Sequence, residues 1–278
     1  MSCPALKICD LSVSHPASGR EVVSTLSFTV PGGSTVALVG ESGSGKTMTA
    51  MAVMGLLPSG FYRASGTVSV DEHPTENLTP EEYRRLRNTS VSLIMQNPMS
   101  AFDPVLSIFY HFRETLASHG MTDKAEIRSR ALAGLSEAGF DDPARILELY
   151  PFQMSGGMLQ RVMLALALIA SPPLVIADEA TCDLDVLAQA RALKLLKDHC
   201  QRRHLALLLI THDLSVAAEF ADEIVVLKEG RLAETGPTRR VFAAPKSDYT
   251  ARLLAAHRAL YTPRYLNIMA ELSRQGDL

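Results

Sequence analysis

An α/β fold with a mainly parallel sheet is predicted by two features of the sequence. Short β-branched and leucine-rich runs alternate with longer helical patterns. The runs at 35–39, 91–95, 174–177, 205–210 and 223–227 are apolar almost throughout, as strands covered on both faces are. With 278 residues the chain can form one large domain, or a domain with a subdomain, around a sizeable core. Its 47% hydrophobic and 21% charged residues are those of a globular protein and argue against disorder or a fibrous fold.

The elements follow in order. Runs at 6–13, 22–30 and 67–70 alternate enough to be antiparallel strands beside the core. The first core strand, 35–39, leads through a glycine-rich turn into a helix expected over 48–57. From about 97 to 160 the periodicity is helical, and no strand is expected between 107 and 149, so this segment reads as a helical insertion. The main domain is expected to occupy 1–245, followed by a short helical tail at 246–278. No internal repeat or low-complexity segment interrupts the pattern.

Composition narrows the partners. A net charge of −3 argues against nucleic acid, whose non-specific binding rests on clustered Lys and Arg. Cys3, Cys9, Cys182 and Cys200 show neither C-x-x-C spacing nor the density of a disulfide scaffold and are expected to be free thiols. The opening MSCPALKICD has no basic stretch followed by an apolar one, which predicts a cytoplasmic chain. The most apolar window, 162–177, is broken by Ser171-Pro172-Pro173 and falls short of the ~20 residues of a membrane span, so membrane contact is expected only through a partner. The eight histidines are scattered without ligand spacing, and no transition-metal site is expected.

Gly40-Glu41-Ser42-Gly43-Ser44-Gly45-Lys46-Thr47 satisfies G-x-x-x-x-G-K-[ST] between an apolar strand and a helix. Its glycines let backbone N–H groups turn inward around phosphate oxygens, and the helix directs its positive end at the same anion. Lys46 is expected to reach the β- and γ-phosphates as a point charge, and the Thr47 hydroxyl to supply an oxygen to Mg²⁺. The strand at 174–177 runs into Asp178-Glu179, where the first carboxylate can face the metal and the second can accept a proton from the attacking water.

Those two features are common to GTPases, small-molecule kinases and helicases. Met154-Ser155-Gly156-Gly157-Met158-Leu159-Gln160-Arg161 narrows the class, because it resembles the signature sequence of ATP-binding cassette (ABC) ATPases. Physically it is a helix start capped by Ser155, with Gly156 and Gly157 offering backbone N–H groups to a second anion. The resemblance, which spans about 6–236, implies a P-loop NTPase core with an antiparallel β subdomain and a helical insertion. It also implies two cassettes packed head to tail with two ATP molecules between them, the mate being identical or different. By the same resemblance Gln96 is the Q-loop glutamine near Mg²⁺ and the attacking water, His212 the switch histidine at the γ-phosphate, and Asp185 the D-loop aspartate. Three positions depart from the family pattern. His15 stands where an aromatic ring usually stacks on adenine, Ala180 where a proline commonly follows the glutamate, and Cys182 where no cysteine is expected.

Longer matches, Ile94-Met95-Gln96-Asn97-Pro98-Met99-Ser100-Ala101-Phe102-Asp103-Pro104 and Tyr150 through Arg161, resemble the peptide/nickel importer branch, and within it lean toward the nickel-import subunits. That resemblance implies transmembrane permease subunits, a second ATP-binding subunit, a periplasmic or extracellular solute-binding protein reached indirectly, and a peripheral place on the cytoplasmic face of the inner membrane. Nickel, a metal chelate and a peptide all remain open as the solute. A soluble ABC ATPase of translation or DNA repair is the competing class, but one copy of each motif and no sustained heptads favour transport.

Overall fold

The computed structural model describes residues 4–180 and 186–260. In chain order the elements are β1 (Pro4–His15), β2 (Arg20–Pro31), β3 (Thr35–Val39), α1 (Lys46–Met54), β4 (Tyr62–Val70), β5 (His73–Pro74), α2 (Pro80–Thr89) and β6 (Val91–Ile94). Then come α3 (Ile108–Ser118), α4 (Lys124–Glu137), α5 (Pro143–Glu148), α6 (Gly156–Ile169), β7 (Leu174–Asp178), α7 (Val186–Arg202) and β8 (Ala206–Thr211). The described chain closes with α8 (Leu214–Phe220), β9 (Glu223–Lys228), β10 (Arg231–Pro237), α9 (Thr238–Ala243) and α10 (Asp248–Leu260).

Six strands form the central sheet in the order β10-β9-β3-β8-β7-β6. All its pairings are parallel except β10 with β9. Every residue of β3, β7 and β8 is buried, which explains why these segments read as unbroken apolar runs. A second, antiparallel sheet in the order β2-β1-β4-β5 packs its inner face, with Leu6, Leu11 and Leu26, against α1 and one side of the central sheet. On the other side α3, α4 and α5 gather around Phe112, Leu135 and Leu147, and α6 joins this cluster to β7 through Val162 and Val175. The segment between β6 and β7 contains no strand among the described residues.

The structure departs from the sequence reading at several ends. Helix α1 begins at Lys46, two residues before the expected start, and stops at Met54 because Gly55 takes the left-handed conformation (φ 64°) and its N–H turns back to the Ala52 carbonyl at 3.3 Å. Strand β10 and helix α9 have no counterpart in the sequence pattern. An edge strand with Gly236 and Pro237 at its end and exposed residues at Arg231 and Leu232 lacks the apolar run of its neighbours.

The sheet order positions the site. β3, β8, β7 and β6 are consecutive neighbours running in one direction, so the turns after them emerge side by side, spaced by roughly 4.8 Å per strand. Those turns carry the glycine-rich loop, His212, Asp178-Glu179 and Gln96 respectively. Ligands in open α/β sheets bind outside the carboxyl ends of the strands.

Candidate functional site

The loop from Gly40 to Gly45 needs backbone conformations that side chains resist. Gly43 has φ 77° and Gly45 φ 101°, and a Cβ on Gly45 would stand 2.6 Å from the Val22 carbonyl oxygen. Bonds from the β9–β10 turn fasten the loop: Gly230 N–H donates to the Ser44 carbonyl at 3.0 Å, and Ser24 N–H to the Gly230 carbonyl at 2.8 Å. Lys46 is only 5% exposed, and its Nζ donates to the carbonyls of Gly40 at 2.9 Å and Glu41 at 3.0 Å. The Ser44 hydroxyl is buried inside this loop and makes no hydrogen bond among the described residues.

Opposite the loop, Asp178 closes β7 and is 7% exposed. Thr47 Oγ1 donates to its Oδ1 at 3.3 Å. Burial pushes the Asp178 carboxyl above its ordinary range, the Glu179 charge adds to this, and the Thr47 hydrogen bond and the Lys46 charge oppose it. Glu179 sits in the left-handed region (φ 46°), fixed by its N–H donating to the Ile210 carbonyl at 2.9 Å. That turn presents its Oε1 to His212 Nδ1 at 3.1 Å. The loop after β8 is tied down in its turn: Asp213 N–H donates to Thr211 Oγ1 at 3.0 Å, and Asp213 Oδ1 accepts from Ser215 N–H at 2.8 Å to cap α8.

One cavity of about 460 Å³ gathers Ser42, Gly43, Gly45, Lys46, Thr47, Gln96 and Glu179. It is polar, open and lined by a glycine loop at a helix start, the arrangement that binds phosphate. Thr47, Asp178 and Gln96 offer only hard oxygen donors, a set that fits Mg²⁺ rather than a softer metal.

Residues 23–182 match the ABC transporter family. The chain belongs to that family. It is 45% identical over 231 residues to the nickel import ATP-binding protein NikD of Rhodospirillum rubrum, covering 82% of this chain and 85% of that protein. The oligopeptide transport ATP-binding protein AppD of Bacillus subtilis is 42% identical, over 84% of this chain and 72% of its own length. Among solved structures the ATP-binding cassette MJ0796, described as a dimer in a post-hydrolysis state bound to ADP and Pi, superposes with a TM-score of 0.75 at 26% identity, over 84% of this chain and 99% of that one. The fold expected from the sequence is thus the observed one, a P-loop ABC cassette, and this chain is an ABC ATP-binding subunit.

In this cassette the signature segment starts α6. Ser155 Oγ accepts from Met158 N–H at 3.3 Å, capping the helix, and the space beside Gly156 is open. Ser155 and Gly157 line a separate cavity of about 430 Å³ with Arg161 and Arg191, away from the one that holds Lys46. Asp185 lies outside the described residues. His15 ends β1 and sets its ring edge-on to Phe61, centroids 4.8 Å apart, with Ser18 Oγ 3.3 Å from its Nδ1. The cavity wall nearest that strand is supplied instead by Arg20 and Val22 of β2, with Met48 of α1, three residues the sequence motifs did not single out. Arg20 pairs with His15 in the β1–β2 register, so the aromatic position at the start of the chain was the one available pointer to this wall.

Proposed function

We propose that this chain binds ATP with Mg²⁺ and hydrolyses it to drive an importer whose solute is nickel or a metal chelate. The observation that carries this reading is the single cavity in which the phosphate loop meets Gln96 and Glu179, with Asp178 hydrogen-bonded to Thr47 behind it.

The residues divide the work as follows. Backbone N–H groups of Gly43, Ser44 and Gly45 and the start of α1 hold the phosphates, while Lys46 leaves the carbonyls of Gly40 and Glu41 for the β- and γ-phosphate oxygens. Gly40, Glu41 and Ser42 complete the loop. Thr47, Asp178 and Gln96 are the residues that would hold Mg²⁺, which when bound neutralises charge on the phosphates. Glu179 takes the proton from the attacking water, and His212, on its Oε1, orients it and faces the γ-phosphate. Positioning and charge do most of the catalysis, because phosphoryl transfer asks little covalent chemistry of the protein. Arg20 and Val22 are placed to contact the base or ribose, and His15, paired with Arg20 across β1 and β2, is the nearby ring that the family resemblance sets on adenine.

The Ser155-Gly156-Gly157 turn lies in a different cavity from Lys46, so it is suited to the nucleotide of a second ATP-binding subunit, alike or different; Asp185, outside the described residues, is assigned to the same junction by the family resemblance alone. This chain sits peripherally at the cytoplasmic face of the inner membrane, and the importer is completed by transmembrane permease subunits, which receive solute from a periplasmic or extracellular binding protein. No helix among the described residues is long and apolar enough to cross a membrane, in keeping with that division of labour. Nickel is favoured by the NikD relatives, and AppD supports a peptide importer as the second reading.

The test is to purify the membrane complex through a tag on this chain, reconstitute it, and measure ATP-driven uptake of Ni²⁺ and of short peptides. Nickel uptake that stops without ATP is the expected result. Peptide uptake without nickel uptake would transfer the assignment to the second reading, and neither, with no ATP hydrolysis, would remove the importer reading.

A further inference from the structure

Helix α10 packs along one edge of the site. It buries Leu254, 4% exposed, in a cluster with Val39 at the end of β3, Val226 of β9 and Leu214 of α8. Its start is fixed by Glu234, whose carboxylate accepts from the N–H groups of Lys246 at 3.0 and 3.1 Å and Ser247 at 3.1 Å. From this seat two side chains reach loops of the ATP site. Tyr249 lies beside Glu41 of the phosphate loop, and burial there pushes its phenol up. Eight residues later, about 12 Å along the helix, His257 Nε2 meets Ser215 Oγ at 2.8 Å.

Ser215 lies in the first turn of α8, directly after the two-residue loop that carries His212. Its N–H donates to Asp213 Oδ1, and Asp213 N–H to Thr211 Oγ1, so three successive bonds link His257 to the end of β8 around the residue that touches Glu179. Asp213 is also the charged group that acts on the His257 imidazole. The two residues between β8 and α8, His212 and Asp213, are pinned by the Thr211 hydroxyl on one side and by the α8 cap on the other, which restricts the backbone that carries the His212 ring.

We propose that His257 is a positioning residue for ATP hydrolysis: through Ser215 it holds the loop that presents His212 to Glu179, so that α10 is part of the catalytic scaffold. The inference rests on the ATPase reading above. Loss of the bond leaves ATP binding to Lys46 and the glycine loop untouched and blurs only the γ-phosphate end.

The experiment measures steady-state ATP hydrolysis by the complex purified through this chain, for His257→Ala, His257→Gln, Ser215→Ala and the double variant His257→Ala/Ser215→Ala. One hydrogen bond of about 1 kcal/mol corresponds to roughly a fivefold fall in kcat. That fall is expected for His257→Ala and Ser215→Ala, with KM for ATP and the melting temperature unchanged. The double variant should be no slower than either single, and His257→Gln, whose amide can still bond the Ser215 hydroxyl, should recover most of the rate. The proposal is overturned if His257→Ala turns over like wild type, if its rate and melting temperature fall together, if the two losses multiply, or if Gln is as poor as Ala. A wild-type complex that hydrolyses no ATP would instead remove the ATPase reading itself, so the two failures are distinguishable.

Discussion

Replacing Glu179 by Gln tests the proposed chemistry with the least disturbance of structure. The two side chains are the same size, and the features that hold position 179 survive: the N–H bond to Ile210, the left-handed backbone, and a polar contact to His212 Nδ1 at 3.1 Å. What disappears is the capacity to accept a proton. General-base catalysis contributes on the order of 10²–10⁴ in rate, so kcat should fall by that factor, about 2.7–5.4 kcal/mol of barrier. Nucleotide binding should not weaken. The Glu179 charge raises the Asp178 carboxyl, so removing it brings Asp178 nearer full ionisation and favours Mg²⁺ beside Thr47. Phosphate release should therefore be almost abolished while the purified variant carries ATP and sediments as a dimer of cassettes. Hydrolysis within about threefold of wild type would refute the base assignment, whatever the occupancy.

Other perturbations separate structure from chemistry. Asp178→Asn should stabilise the nucleotide-free protein at neutral pH. The folded carboxyl ionises above its ordinary range, so as pH rises through that range the unfolded chain ionises first and wild type loses stability that the Asn variant keeps; melting curves from about pH 4 to about pH 8 show the gap opening with pH, and the same variant loses Mg²⁺-dependent ATP binding. Gly45→Ala places a methyl against the Val22 carbonyl at a φ that side chains resist, a cost of roughly 1–3 kcal/mol, read as a lowered denaturant midpoint together with weaker ATP binding. The Cys200 thiol, buried and pushed up to about 12, should resist alkylation in the native protein at pH 7, whereas the half-buried Cys9 reacts first; mass spectrometry of the labelled peptides checks the order.

The parts of the site that the sequence displayed are those encoded by adjacent residues. The phosphate loop, the acidic pair and the Ser155 cap each need a run of a few residues in fixed spacing, and the strand that precedes the loop was delimited at 35–39 because all five of its residues are buried. The rest depends on pairing between distant segments. Arg20 and Val22 enter the cavity because β2 crosses over the glycine loop, and no local pattern marks that crossing. The contact of His257 with Ser215 joins residues 42 apart, on a helix whose sequence reads only as a tail. Edge strand β10 was illegible for a related reason: its one inward carboxylate, Glu234, serves as an anchor for the turn into α10 and breaks the apolar pattern that would reveal a strand.

The state of the phosphate loop has a mechanistic consequence. A lysine 5% exposed is costly to bury, and here two carbonyl oxygens of its own loop, on Gly40 and Glu41, answer its charge together with the field of Asp178. Triphosphate oxygens carry full negative charge and hydrogen-bond an ammonium more strongly than neutral carbonyls do, so nucleotide binding exchanges weak partners for strong ones without moving α1. The same exchange removes Lys46 as a counter-charge for Asp178, which leaves a buried carboxylate beside Thr47 in need of a cation. Phosphate and metal sites are thereby coupled through Lys46, at the start of α1 after the loop from β3, and Asp178, at the end of β7, with the turn after the intervening β8 carrying His212. ATP and Mg²⁺ should bind this cassette with positive cooperativity, each stronger in the presence of the other, as a property of that electrostatic triangle.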